Sequence, residues 1–207
     1  MSAAREAVLG SIRAHRPVEA APLPAVAAFP GPADRVEEFL RRLQQMGGRV
    51  MRAGPEGDAL RPARERLAGE RGPTFSAVPE LEGSVRYGAD TPPASLEDVE
   101  LAVVRARFGV AETGSVLFTE AELGVNAVAY LAQHLIVLLD PAAILGNLHE
   151  AYARPEFAAA NYCVLHTGPS ATADIEGVLI QGAQGVRSLT VLLLAAPDVD
   201  GKGFPGP

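Results

Sequence analysis

Hydroxyls, glycines and carboxylates gather in two short segments of this 207-residue chain. The first is Gly168-Pro169-Ser170-Ala171-Thr172-Ala173-Asp174-Ile175-Glu176-Gly177, which follows the apolar run Tyr162-Cys163-Val164-Leu165. Gly168 admits a positive φ, Pro169 fixes a turn, and Ser170 or Thr172 is placed to cap a helix start. A strand that ends this way and restarts as a helix leaves bare backbone N–H groups, which hold a phosphate or a carboxylate. Asp174 and Glu176 fall in the first turn of that expected helix, where carboxylates suit the dipole. A plain capped junction accounts for the same residues. The second segment is Ala111-Glu112-Thr113-Gly114-Ser115. Glu112, just ahead of an apolar run, suits a general base, an acyl-accepting nucleophile, or the partner of a backbone turn in solvent. If the segments form one site, Glu112 and Ser170 face a common cleft.

The other reactive side chains carry weaker signals. His15, His134, His149 and His166 show no metal-ligand spacing with one another or with cysteine. His134 abuts an apolar run and reads as a hydrogen-bonded core residue. His166 leads into Gly168, where a ligand contact is open, but a plain structural role is the favoured reading. Cys163 stands inside an apolar run and reads as a buried, inert thiol. Glu120-Ala121-Glu122 reads as a solvated turn. Gly182 and Gly185 flank Gln184 and return the chain to a last strand. No Walker A motif, G-x-S-x-G elbow or dinucleotide fingerprint is present.

These segments need a scaffold, and the apolar pattern supplies one. Residues 2–15 read as an amphipathic helix, and residues 17–32 as a Pro-rich arm. Val36, Phe39, Leu40 and Leu43 give a helical face over 33–45, with Asp34 as N-cap and Gly47-Gly48 as the stop. Strands are expected at 49–52, 74–78, 101–104, 115–119, 135–139, 162–166 and 189–194. Helices are expected at 57–68, at 141–152 behind Asp140 and Pro141, and at 172–181. The strands are continuous apolar runs that alternate with helices from Leu135 onward. That predicts an α/β fold, with a mostly parallel sheet covered on both faces. The organisation expected is an N-terminal helix and arm (1–32), one α/β domain (33–197) and a flexible tail (198–207).

Composition narrows the function classes. A net charge of −7 argues against general binding to nucleic acid or to anionic membranes. Every basic residue except Lys202 is arginine, and the arginines are spread along the chain. One cysteine forms no intrachain disulfide and does not by itself ligate an iron–sulfur cluster. No signal-peptide pattern and no 18-residue apolar run appears, so the expected compartment is the cytoplasm.

The order Ala111-Glu112-Thr113-Gly114-Ser115, apolar strand, then Thr167-Gly168-Pro169-Ser170-Ala171-Thr172-Ala173-Asp174-Ile175-Glu176 resembles the LUD-domain family, specifically its lactate-utilisation protein C, or YkgG-like, group. The resemblance covers roughly residues 98–195. Between the two motifs, family members often carry a basic residue and a Leu-Pro, where this chain reads Gly124-Val125-Asn126-Ala127 and Leu131-Ala132-Gln133-His134. The resemblance implies a three-layer α/β sandwich of the NagB/RpiA/CoA-transferase kind. It implies a role in oxidising L-lactate to pyruvate beside separate iron–sulfur partner proteins, with no cofactor held by this chain. The candidate site is then Glu112 as catalytic group, with Thr113, Gly114, Ser115, Gly168, Pro169, Ser170, Thr172, Asp174 and Glu176 around a small anion. Two other readings stand beside it. One is a stand-alone enzyme using Glu112 on a phosphorylated, folate or acyl-CoA substrate. The other is a non-catalytic interaction module in which both motifs are capped turns.

Overall fold

Continuous apolar runs are stable as strands only when both faces are covered, and the runs of this chain pair side by side into a sheet whose faces other elements pack against. The computed structural model describes residues 3–16, 27, 29–55, 57–88, 90–173 and 177–194. The elements are α1 (Ala3–Ala14), α2 (Arg35–Gln45), β1 (Arg49–Met51), α3 (Arg61–Ala68), β2 (Thr74–Ser76), β3 (Leu101–Arg105), β4 (Phe108–Val110) and β5 (Ser115–Thr119). They continue as α4 (Glu120–Leu123), α5 (Val128–Leu131), β6 (His134–Leu139), β7 (Ile144–Leu145), α6 (Leu148–Tyr152) and α7 (Glu156–Ala159). The last are β8 (Cys163–His166), β9 (Ala171–Thr172), β10 (Ile180–Gln181) and β11 (Ser188–Leu193).

The central sheet has the order β1-β11-β6-β3-β2, and every pairing in it is parallel. Strand alternation divides its side chains between two cores. Ala102, Val104, Leu135, Val137, Leu139, Leu189 and Val191 pack with Phe39 and Leu43 of α2. Leu101, Val103, Ile136, Leu138 and Leu192 pack with Ala63 and Leu67 of α3. The fold is thus mixed α/β with a parallel central sheet and helices on either side. Helix α2 forms as its pattern predicts: Asp34 caps it by accepting from the Glu37 N–H at 2.9 Å, and Phe39 and Leu43 are fully buried.

A second sheet, β7-β4-β5-β8, lies against the α2 side. Val116 and Phe118 of β5 join the α2 core, while Leu117, Phe108 and Val110 face outward onto Ala151 of α6. Three expectations are corrected here and in a separate two-stranded sheet, β10-β9. The strand at 162–166 starts at Cys163, and β8 pairs antiparallel with β5 rather than joining the parallel sheet. The helix expected over 141–152 is broken. Asp140 does cap Ala142, but only a 3-10 turn follows, and Ile144–Leu145 pairs with Gly109–Val110 before Asn147 caps α6. The helix expected at 172–181 is replaced by the antiparallel pair β9–β10, Thr172 opposite Ile180. Among the described residues there, Val178 and Leu179 are 60% and 63% exposed and bury no apolar face to support a short helix.

Among the described residues, no helix is long and apolar enough to cross a membrane. Helix α1 buries none of its residues.

Candidate functional site

Antiparallel pairing of β5 with β8 sets Val116 opposite His166 and brings the two motif segments to one end of the second sheet. The Ser115 hydroxyl is 2.7 Å from that of Thr113 and is hydrogen-bonded to that of Thr167, so three hydroxyls link the segments. Ser115 is buried, which leaves its oxygen to be satisfied by those neighbours.

Both motif glycines pack on the end of α2. Gly114 and Gly168 have φ of 68° and 64°. A Cβ on Gly114 would lie 2.3 Å from the Leu43 nitrogen, and one on Gly168 would lie 2.3 Å from the Met46 carbonyl oxygen. Pro169 lies against the Gly47 turn that ends the same helix. The A-E-T-G-S and T-G-P-S turns therefore both pack closely on the C-terminal end of α2.

Ser170 is placed by the main chain. Its N–H donates to Val186 O at 2.8 Å, and its carbonyl accepts from Gly182 N–H at 2.7 Å. No helix begins at Ser170, so the anion-ready helix start expected there is absent. Thr172 sits in β9, and Asp174 and Glu176 lie outside the described residues.

Thr167, Gly168, Pro169 and Ser170 form one wall of a cleft of about 300 Å³. Its other walls include Tyr130, His166, Gln184, Gly185 and Val186. Glu112 is not among them. Its carboxylate accepts from the Leu148 N–H at 2.9 Å, and its own N–H donates to Gly146 O. It caps the start of α6 on the β7 side of the sheet, so the expected common cleft for Glu112 and Ser170 does not form.

His166 is the cleft's titratable group. Burial lowers its pKa below the usual 6.5. Its ring lies 5.1 Å from that of Tyr130 and meets Phe118 edge-on at 5.7 Å. Its Nε2 is buried with no hydrogen-bond partner among the described residues. With its pKa lowered the ring is a neutral imidazole, which carries one donor and one acceptor nitrogen. Tyr130 in turn shares a 2.5 Å hydrogen bond with the Tyr162 hydroxyl; burial and that bond push the Tyr162 phenol up. The sequence set His166 beside the T-G-P-S turn but favoured a structural role for it, and it missed Tyr130 and Gln184, because nothing in their spacing ties them to the motifs.

Other candidates fall into structural roles. His134 bonds the Ser188 hydroxyl at 2.8 Å as expected, but it is half-buried at the start of β6, with Glu100 3.7 Å from its Nε2, rather than in the core. Cys163 is half-buried rather than fully enclosed. The turn at 120–122 is solvated only in part: Ala121 is exposed and Glu120 half-buried. Thr119 and Glu122 form a capping box, and Glu122 is buried and paired to Arg107 at 2.8 Å. Glu120 accepts from the N–H groups of Asn161 and Tyr162, which hold its carboxyl below the usual range. Among the described residues, no group of His, Cys, Asp and Glu is arranged to hold a metal ion.

Residues 94–194, which span both motifs and β3 to β11, match the sequence model of the LUD domain. The chain carries a LUD domain. In fold, the chain is similar to the crystal structure of a DUF162 family protein from Deinococcus radiodurans, with a TM-score of 0.53 and 16% identity. The likeness covers 78% of this chain and 96% of that one. None of the curated proteins matches the sequence. The LUD match begins just before β3, so α2, β1, α3 and β2 lie outside it, yet α2 supplies the surface on which both LUD motifs close.

Proposed function

We propose that this LUD-domain protein serves the oxidation of L-lactate to pyruvate in the cytoplasm. In that role it is a subunit or accessory of an iron–sulfur-containing system and binds an organic acid in the His166–Ser170 cleft. The observation that carries the reading is the meeting of the A-E-T-G-S and T-G-P-S segments through the Thr113–Ser115–Thr167 hydroxyls beside that cleft. Its residues suit an acid of modest size: hydroxyls and an imidazole to orient it, and apolar side chains around it. Oxidation of a hydroxy acid releases two electrons. A chain with one cysteine does not by itself supply the thiolates of a cluster, so those electrons would pass to separate partner proteins.

Two measurements test the reading. Deletion of the gene should abolish growth on L-lactate as sole carbon source while leaving growth on pyruvate intact. Purified protein should show a concentration-dependent rise in Tm with L-lactate or pyruvate, which Ser170→Ala reduces. Normal growth on lactate after deletion would refute the role, and an unchanged Tm would refute the cleft as its organic-acid site.

A further inference from the structure

The cleft continues past Ser170. Beyond the Tyr130 ring lies a second hollow of about 370 Å³, and Tyr130, Gln184 and Gly185 line both spaces. Arg187 lines the far hollow, with Glu97 also on its wall. Most arginines of this acidic chain are committed to carboxylates, as Arg105 is to Glu80 and Arg107 to Glu122. The Arg187 guanidinium has no hydrogen bond or ion pair among the described residues. The main chain and the base of the side chain are nonetheless placed. The Arg187 N–H donates to Gln133 O at 2.7 Å, and its Cγ lies 2.7 Å from where a Gly182 Cβ would be. A held stem with an unpaired, exposed guanidinium at the rim of a groove suits recognition of an oxyanion, which it can bind through two parallel bonds.

We propose that the two hollows are one groove and that Arg187 is its charge-recognition residue. The ligand is then a dicarboxylic acid longer than lactate, one acid group at the Thr167–Ser170 wall and the other on Arg187. The carbon chain between them crosses the Tyr130 ring, which is 45% exposed and offers an apolar face. This rests on the organic-acid reading of the cleft, and it makes the protein an accessory that responds to a diacid while serving lactate oxidation.

Isothermal titration of the full chain with L-lactate, succinate, glutarate, adipate and inorganic phosphate tests it. At least one dicarboxylate should bind about tenfold or more tightly than lactate. Arg187→Gln, which keeps most of the stem, should remove that advantage, about 1.4 kcal/mol, and leave lactate binding unchanged. Ser170→Ala should weaken both. If Arg187→Gln binds dicarboxylates as wild type does, or if phosphate binds as tightly as the best diacid, the inference is overturned. If lactate binds, Ser170→Ala abolishes it and no diacid gains over it, the longer groove fails while the cleft reading stands. If no acid binds wild type, both fail.

Discussion

Gly168→Ala tests whether the motif glycine is required by packing on α2. Two effects add. At φ 64° an alanine costs about 1–2 kcal/mol in backbone conformation. Its Cβ would also lie 2.3 Å from Met46 O and 3.3 Å from Gly48 N. Both are main-chain atoms in the turn that ends α2, and they do not swing aside as a side-chain tip would. Overpacking of this kind adds about 1–3 kcal/mol. The expected loss is about 2–5 kcal/mol, or roughly 4–20 °C in Tm for a chain of this size. Gly57→Ala is the internal control. Gly57 has φ 89° but nothing within 4 Å of the added Cβ, so only the conformational cost remains. Urea unfolding followed by far-UV circular dichroism gives the two losses from midpoint shifts at constant slope. If Gly168→Ala loses no more than Gly57→Ala, the close approach of the T-G-P-S turn to α2 is wrong.

Two further outcomes follow from the site. Because burial lowers the His166 pKa, the unfolded chain takes up that proton first as pH falls below 6.5. His166 therefore contributes a loss of stability between 6.5 and its folded-state value, and no further change below that. Urea midpoints at pH 7.5, 6 and 5 should fall less in His166→Gln than in wild type, and parallel profiles would count against a buried neutral ring. Glu112→Ala should cost about 1 kcal/mol by removing the acceptor at the Leu148 N–H, whereas Glu112→Gln, which keeps an acceptor there, should stay within about 0.5 kcal/mol. Equal losses in the two variants, read by thermal unfolding, would refute the capping role.

Much of the scaffold was legible because its signals are local and redundant. Asp34 with Val36, Phe39, Leu40 and Leu43 specifies a capped amphipathic helix before any partner is known. Leu135 to Leu139 specifies a strand covered on both faces. Short elements escaped for the opposite reason. Three residues with a central glycine, Phe108–Val110, carry no period of their own and become a strand only because β5 and β7 flank them. The helix expected at 172–181 rested on a capping signal, and Val178 and Leu179 beyond it stay exposed. Glu122 reads as a surface charge until Arg107 and the Thr119 cap enclose it.

By itself the sequence determined the α/β class, the apolar runs that become the parallel sheet, and the two motifs that mark a LUD domain. Those are properties of composition and spacing, carried within a few residues. Only the tertiary structure decided what the motifs do to one another. Antiparallel pairing of β5 with β8, contacts 52 residues apart in the case of Ser115 and Thr167, joined the hydroxyls. The same pairing set both glycines on α2 and opened the cleft beside His166, while pairing of β4 with β7 set Glu112 at the start of α6. Long-range register fixes which side chains meet, and no local pattern encodes it.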